Sequence, residues 1–302
     1  MDIAVIGSNM VDLISYIDRM PAQGETVAAP DFKMGCGGKG ANQAIAAARL
    51  GSEVLMLTRV GNDIFAANTV ENFKKNGIDT TYVLSTDATS GVAPIFVDKE
   101  SNNSIIIVPG ANLLLTPDDI AAASADIAQC KLIVLQLEIM LETVYAAIEF
   151  GKEHGIPVLL NPAPAHPDLD IERIKDCTYF MPNETELALL TGMPVDTLDD
   201  VEAAAQVLLD KGVKDVVVTL GSRGALWMND SRTTQIPAVS VQAKDTTGAG
   251  DAFIGCFSHY LVATGDIERS LTVASRYAAD SVTKLGTQTS YATREEFDDG
   301  EA

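Results

Sequence analysis

Short apolar runs that alternate with longer helical patterns constrain this chain more than any other feature. DIAVIG is followed by GANQAIAAARLG, then SEVLMLTRVG and a helical stretch to about Gly77. Later come KLIVLQLE, a helix through ETVYAAIEFGKEHG, IPVLLNP, a short TYFMPNE and KDVVVTLG. Apolar strands with helices between them are the pattern of βαβ units on a parallel sheet covered on both faces. The expected class is α/β, organised as one domain over residues 1–302.

Two excursions depart from that rhythm. VDLISYID (11–18) with ETVAAPDFKM (25–34), and GVAPIFVD (91–98) with NSIIIV (103–108), are strand-like pieces joined by the polar turns MPAQG and KESNN. Hairpins are the natural reading, giving a small antiparallel β lid from about 12–36 and 90–108. An edge extension of the main sheet is the alternative.

Charge narrows the partners. Forty-two acidic against 21 basic residues give a formal net charge of −21, a surface that repels phosphate backbones and anionic lipid. Neither nucleic acid nor a membrane is expected as a partner. A chain this acidic that handles an anionic substrate must concentrate its few cations, which draws attention to Lys39, although a solvated surface charge explains a lysine as well. Cys36, Cys130, Cys177 and Cys256 are dispersed, without a CxxC pair, and read as free thiols in a reducing compartment. His154, His166 and His259 are too scattered to suggest a metal cluster. With no signal-peptide pattern and no long apolar run, a cytoplasmic protein is expected.

The glycine-rich segments carry the chemistry. GCGGKG (35–40) fits a dinucleotide fingerprint only literally, because the Pro-containing VAAPDFKM before it is not a buried strand. It fails as a phosphate loop because Gly40, not Ser or Thr, follows Lys39. What remains is a flexible loop with Lys39 and Asn42 presenting donors at a helix start, or a plain loop-to-helix turn. DTTGAGD (245–251) leads into the strong helix AFIGCFSHYLVATG. Gly248, Ala249 and Gly250 allow backbone N–H groups to converge there as an anion hole. Asp251 beside it is explained equally by the helix dipole and by a phosphoryl transfer that needs a base next to anion donors. LGSRG (220–224) is a strand-end turn that holds a phosphate or simply turns the chain. Asn183 and Glu186 in PNETE have the spacing of a capping box. Glu138, closing LIVLQLE, is an acid where open parallel sheets bind ligands.

Taken in order, GGKGAN (37–42), NPAPA (161–165), PNETE (182–186), TLGSRG (219–224) and DTTGAGDAF (245–253) resemble the ribokinase-like, or PfkB, carbohydrate kinase family over nearly the whole chain. The resemblance implies a Rossmann-like core with a β lid, transfer of the γ-phosphoryl group of ATP to a primary sugar hydroxyl with Mg2+ present, and activation by K+. By position it implies Asp251 as the catalytic base, with the Gly248, Ala249 and Gly250 amides as the anion hole. Sugar contacts fall on Asp12, Gly38, Lys39, Asn42, Glu138 and Asp251. Nucleotide contacts fall on Asn183, Thr219, Gly221, Gly224, Gly250 and Ser275, the last where the family often has a different polar residue. Glu186 would help hold Mg2+ through water. The monovalent-cation loop would involve Asp245, Thr247, Ser281, Lys284, Gly286 and Ser290, partly through backbone carbonyls. A homodimer through an exposed lid edge is also expected.

The sugar is read from a departure. Family members acting on ribose resemble GS-x-N-x-D at the first strand end, whereas GSNMVD (7–12) has Met10 in place of the Asn and keeps Asp12. An Asn amide pairs with a ring hydroxyl; a thioether offers a soft apolar surface. A hydroxyl facing Met10 loses its partner, at about 1–3 kcal/mol, and a sugar lacking it loses nothing. The expected substrate is therefore 2-deoxy-D-ribose, phosphorylated on its 5-hydroxyl, with ribose weaker. The alternatives are ribose itself, with Met10 only filling space, or a non-catalytic sugar or nucleotide sensor.

Overall fold

A computed structural model describes residues 1–100 and 103–300. In chain order, β1 (Ile3–Ile6), β2 (Met10–Tyr16), β3 (Asp31–Gly37), α1 (Lys39–Arg49), β4 (Val54–Val60), α2 (Ile64–Lys75) and β5 (Val83–Ser85) precede β6 (Val92–Val97) and β7 (Asn103–Ile105). Next come α3 (Pro117–Ile127), β8 (Leu132–Leu135), α4 (Leu141–His154), β9 (Val158–Leu160), α5 (Ile171–Ile174) and β10 (Tyr179–Phe180). They lead to α6 (Glu184–Thr191), α7 (Leu198–Asp210), β11 (Asp215–Thr219), β12 (Ala225–Asn229), β13 (Arg232–Ile236), α8 (Ala249–Thr264) and α9 (Ile267–Ser281).

Among the described residues, nine strands form the main sheet in the order β13-β12-β11-β10-β9-β8-β1-β4-β5. It is parallel from β11 to β5, and the hairpin of β12 and β13 runs antiparallel at one edge. The apolar runs are continuous because each strand feeds two cores. In β1, Ala4 and Ile6 face the cluster shared with α3, α4 and α7, while Ile3 and Val5 face the cluster shared with α1, α8 and α9. Two-sided burial is what a covered parallel sheet demands.

The second sheet has the order β3-β2-β6-β7. Each excursion is an antiparallel hairpin, and the two meet through a parallel pairing of β2 with β6. Its strands are placed differently from the expectation: residues 25–30 lie outside any strand, and β3 runs instead from Asp31 to Gly37. GCGGKG is therefore no flexible loop, since residues 35–37 end a strand and α1 starts at Lys39. Its glycines serve close approach. A Cβ on Gly37 would lie 2.5 Å from an Asp12 carboxylate oxygen.

α1 and α8 pack against each other at Gly255, where a Cβ would come within 2.5 Å of the Ala46 Cβ and 2.6 Å of the Gln43 carbonyl. That intimacy brings the first turns of the two helices side by side. No described helix is long and apolar enough to cross a membrane, and all four cysteines are free.

Candidate functional site

The first turns of α1 and α8 open onto a cleft of about 200 Å³ lined by Lys39, Asn161, Asn183, Glu186, Thr219, Thr246, Gly248, Ala249, Gly250 and Asp251, among others. Both helices begin on a glycine, Gly38 at φ 89° and Gly248 at φ 76°, and neither start carries a side-chain cap. Elsewhere Asp63, Asn183, Thr197 and Asp266 cap their helices by accepting backbone N–H groups. The α8 start thus leaves donors for a ligand, whereas at α1 the Lys39 N–H goes to Glu138, the Gly40 N–H to Ser8 Oγ at 3.3 Å and the Ala41 N–H to the Ser8 carbonyl at 2.8 Å. At α8 the Gly248, Gly250 and Asp251 N–H groups have no backbone partner among the described residues. The Ala249 N–H is spent on the Thr246 carbonyl at 3.3 Å, so it adds less to the anion hole than its position suggested.

Asp251 is 5% exposed, and both its oxygens are taken. Asn42 donates to Oδ2 and Gln43 to Oδ1, each at 2.9 Å. Asp12 lies on β2, on the same face as Met10, by the two-residue strand repeat. Glu138 does not close a strand: β8 ends at Leu135, and the Glu138 carboxylate in the following loop accepts Ser8 Oγ at 2.5 Å and the Lys39 N–H at 2.9 Å. The expected strand end is thus three residues too late, and the tie of Glu138 to the first turn of α1 was not legible.

Charges converge at this place. Burial first, then the Glu138 and Asp251 charges, push the Asp12 carboxyl up to about 7. Burial also raises Glu186. For Lys39, burial opposes the charge, but Asp251, Glu138 and Glu186 outweigh it and its pKa rises, so the ammonium persists at neutral pH. The raised Asp12 has a stability consequence. In the unfolded chain it ionises near 3.8 and in the folded chain near 7, so stability fully present below the lower value is lost as pH rises through the upper one. Asp12→Asn should therefore melt at a higher temperature than the parent at pH 8 and lose that advantage at pH 4, as read by calorimetry of the ligand-free protein.

Asn183 and Glu186 form the expected capping box: the Asn183 N–H and Nδ2 donate to Glu186 at 2.8 and 3.0 Å, and the Glu186 N–H donates back at 2.8 Å. Both also line the cleft, so capping and site coexist. Thr219 pairs with Asn183 through an isolated bridge. Gly221 opens the turn after β11, and Gly224, at φ 91°, backs onto Ile236, Pro237 and Ala238. Ser275 does not line the cleft; its Oγ donates to the Pro237 carbonyl at 3.1 Å, which ties it to the same corner as Gly224.

The Asp245 turn and the 281–291 segment are brought together. Asp245 accepts the Thr247 and Gly286 N–H groups at 3.0 and 2.9 Å, and Tyr291 Oη donates to the Gly248 carbonyl at 2.9 Å. Lys284 Nζ is engaged with Asp280 at 2.7 Å, while Ser281 and Ser290 hydroxyls donate to nearby carbonyls. No group of three His, Cys, Asp or Glu side chains able to hold a metal occurs among the described residues. Sequence reasoning missed Gln43 and Gln136, whose only signal was their polarity inside apolar surroundings, and Gln288, which carried no signal within the polar stretch GTQTS.

A buried, doubly held carboxylate beside the open α8 start and a charged lysine suits group transfer on a substrate bearing anionic oxygens. Residues 1–294 match the pfkB family carbohydrate kinases. The chain belongs to that family. It is 60% identical to a deoxyribokinase of Salmonella typhi over 300 residues, 99% of this chain and 98% of that protein. A ribokinase of Mus musculus is 40% identical over 300 residues, covering 98% of this chain and 93% of the relative. The structure of an Arabidopsis thaliana ribokinase complexed with ribose and ATP superposes with a TM-score of 0.92 at 31% identity, over 98% of this chain and 96% of that one.

Proposed function

We propose that this chain is an ATP-dependent pentose kinase acting on the 5-hydroxyl of 2-deoxy-D-ribose, with ribose as a weaker substrate. The observation that carries the reading is the Asp251 carboxylate in the first turn of α8, beside the unpartnered Gly250 N–H. Asp251 accepts the proton of the 5-hydroxyl as its oxygen bonds to the γ-phosphorus. The bond between the γ-phosphorus and the bridging oxygen breaks, and ADP leaves with that electron pair. The α8 start and the Lys39 ammonium receive the charge on the transferring group. Asp12, Gly38, Lys39, Asn42 and Glu138 bind the sugar. Asn183, Thr219, Gly221, Gly224 and Gly250 bind the nucleotide, with Ser275 supporting the Pro237 corner.

Glu186, with one N–H already on each oxygen, fits contact with Mg2+ through water, the ion arriving with ATP and neutralising phosphate charge when bound. Backbone carbonyls of the 281–290 segment, with Asp245, Thr247 and Lys284 beside them, fit a K+ that orders the anion-hole turn. The second sheet acts as a lid that excludes water. Its exposed Phe32 (57%), Met34 (51%), Ile105 (49%) and Ile106 (55%) suit a homodimer through that sheet, in the cytoplasm.

Substrate choice rests on Met10. It is 3% exposed, its thioether lying 3.7 Å from Asn112 Nδ2, so it offers sugar no strong hydrogen-bonding group. The 60% identical relative named deoxyribokinase supports the same choice. An apolar contact rejects an added hydroxyl by only on the order of a hundredfold, so ribose remains detectable. ADP release measured over a pentose panel, with and without K+, tests this. Deoxyribose should give the higher kcat/KM, and Met10→Asn should move the ratio toward ribose by about tenfold or more. Equal kcat/KM for both sugars, or a ratio untouched by Met10→Asn, would remove Met10 as the basis for choosing deoxyribose.

A further inference from the structure

We infer that Gln43 is a positioning residue that orients the Asp251 carboxylate for proton acceptance, and that Gln136 holds Gln43 to this task; the inference rests on Asp251 being the base. Gln43 is 1% exposed on α1. Its Nε2 donates to Asp251 Oδ1 at 2.9 Å and to Asn161 Oδ1 at 3.2 Å, and its Oε1 accepts Gln136 Nε2 at 2.6 Å. The direction of this amide is dictated by its neighbours. Asn161 spends its Nδ2 on the Met181 carbonyl at 2.9 Å, so its oxygen faces Gln43. Gln43 must then present its N–H pair to two oxygens; turned the other way, its own oxygen would meet both.

Gln136 gives the second observation. Its Nε2 is committed to Gln43, and its Oε1 is buried without a partner. That oxygen projects toward Gly7 and Gly40: a Cβ on Gly7 would collide with it, and one on Gly40 would come within 2.9 Å. A buried carbonyl left unpaired costs stability, and such an exception in a native fold calls for a reason. Orientation of Gln43 is that reason. The other Asp251 oxygen is held by a similar series, in which Asn42 donates at 2.9 Å, Gln288 donates to Asn42 Oδ1 at 2.9 Å and Asn72 donates to Gln288 Oε1 at 2.8 Å. An Asp carboxylate has a broad terminal torsion of its own. Two successive residues of α1, each backed by a glutamine, remove that freedom and leave the remaining lone pairs for the sugar hydroxyl.

Gln43→Met keeps the side-chain length and the helix while deleting every polar contact. With deoxyribose and ATP, kcat should fall on the order of 10- to 100-fold, the scale of a slightly misplaced catalytic group. KM for each substrate should stay within about threefold, because the loss is confined to the transition state. Combined with Asp251→Asn, Gln43→Met should cost no more than about threefold further, since it acts through Asp251. Gln136→Met, which contacts Gln43 and not Asp251, should lower kcat by about 3- to 10-fold and serves in place of Gln43→Met if that variant does not fold. A kcat within about threefold of the parent for Gln43→Met, or for Gln136→Met in its stead, would overturn the inference, as would KM rising in step or losses that multiply with Asp251→Asn. A parent chain that releases no ADP with any pentose sinks the kinase reading itself; an active parent with an inactive Asp251→Asn and an unaffected Gln43→Met sinks only this inference.

Discussion

Asp251→Asn should lower the turnover of 2-deoxy-D-ribose by on the order of 10²–10⁴-fold, the contribution of a positioned general base. The substitution removes the proposed proton acceptor and disturbs its surroundings, because one carboxylate oxygen becomes an NH2 group facing the Asn42 or Gln43 donor. ATP affinity should change little, since the α8 backbone donors and the Thr219 region are untouched. Coupled ADP release gives kcat, and calorimetric titration with ATP gives the affinity. Turnover surviving within tenfold would take the base role away from Asp251.

Lys39→Met should lower kcat/KM for ATP by on the order of 10²–10³-fold, the loss seen when one donor to developing charge is removed from a dry site. Lys39 has no carboxylate within ion-pair distance among the described residues. Yet Asp251, Glu138 and Glu186 all raise its pKa. It therefore balances several acids at a distance and keeps its N–H donors for a ligand. Methionine preserves the apolar stem, so the loss reports the charge rather than packing. In a chain of net charge −21, no nearby surplus of cations compensates. A loss below tenfold in kcat/KM, with the variant folded by circular dichroism, would assign the phosphate contact to the backbone alone.

Much of this was readable in the linear chain. The α/β class, the helix opening at Ala249 behind DTTG and the PNETE capping box are local, because apolar period, small residues and cap spacing act within one or two turns. That Asp12 and Met10 share a face follows from local periodicity as well, since they stand two residues apart at the start of β2. The resemblance of ordered motifs extended that reading to the family. Other features were invisible. GCGG reads as a loop until the Asp12 carboxylate is seen against Gly37, and the parallel pairing of β2 with β6 depends on how two distant hairpins dock.

The grip on Asp251 is the clearest case. Gln43 reads as one more polar residue in an alanine-rich helix, and Gln136 as a polar interruption of an apolar strand. Sequence pattern specifies which faces are buried and where helices start, since those follow from periodicity and backbone donors. It does not specify that Gln43 meets Asp251, 208 positions away. That meeting follows from sheet order and from the close crossing at Gly255, where the absence of a side chain lets two helices approach until their first turns share one carboxylate.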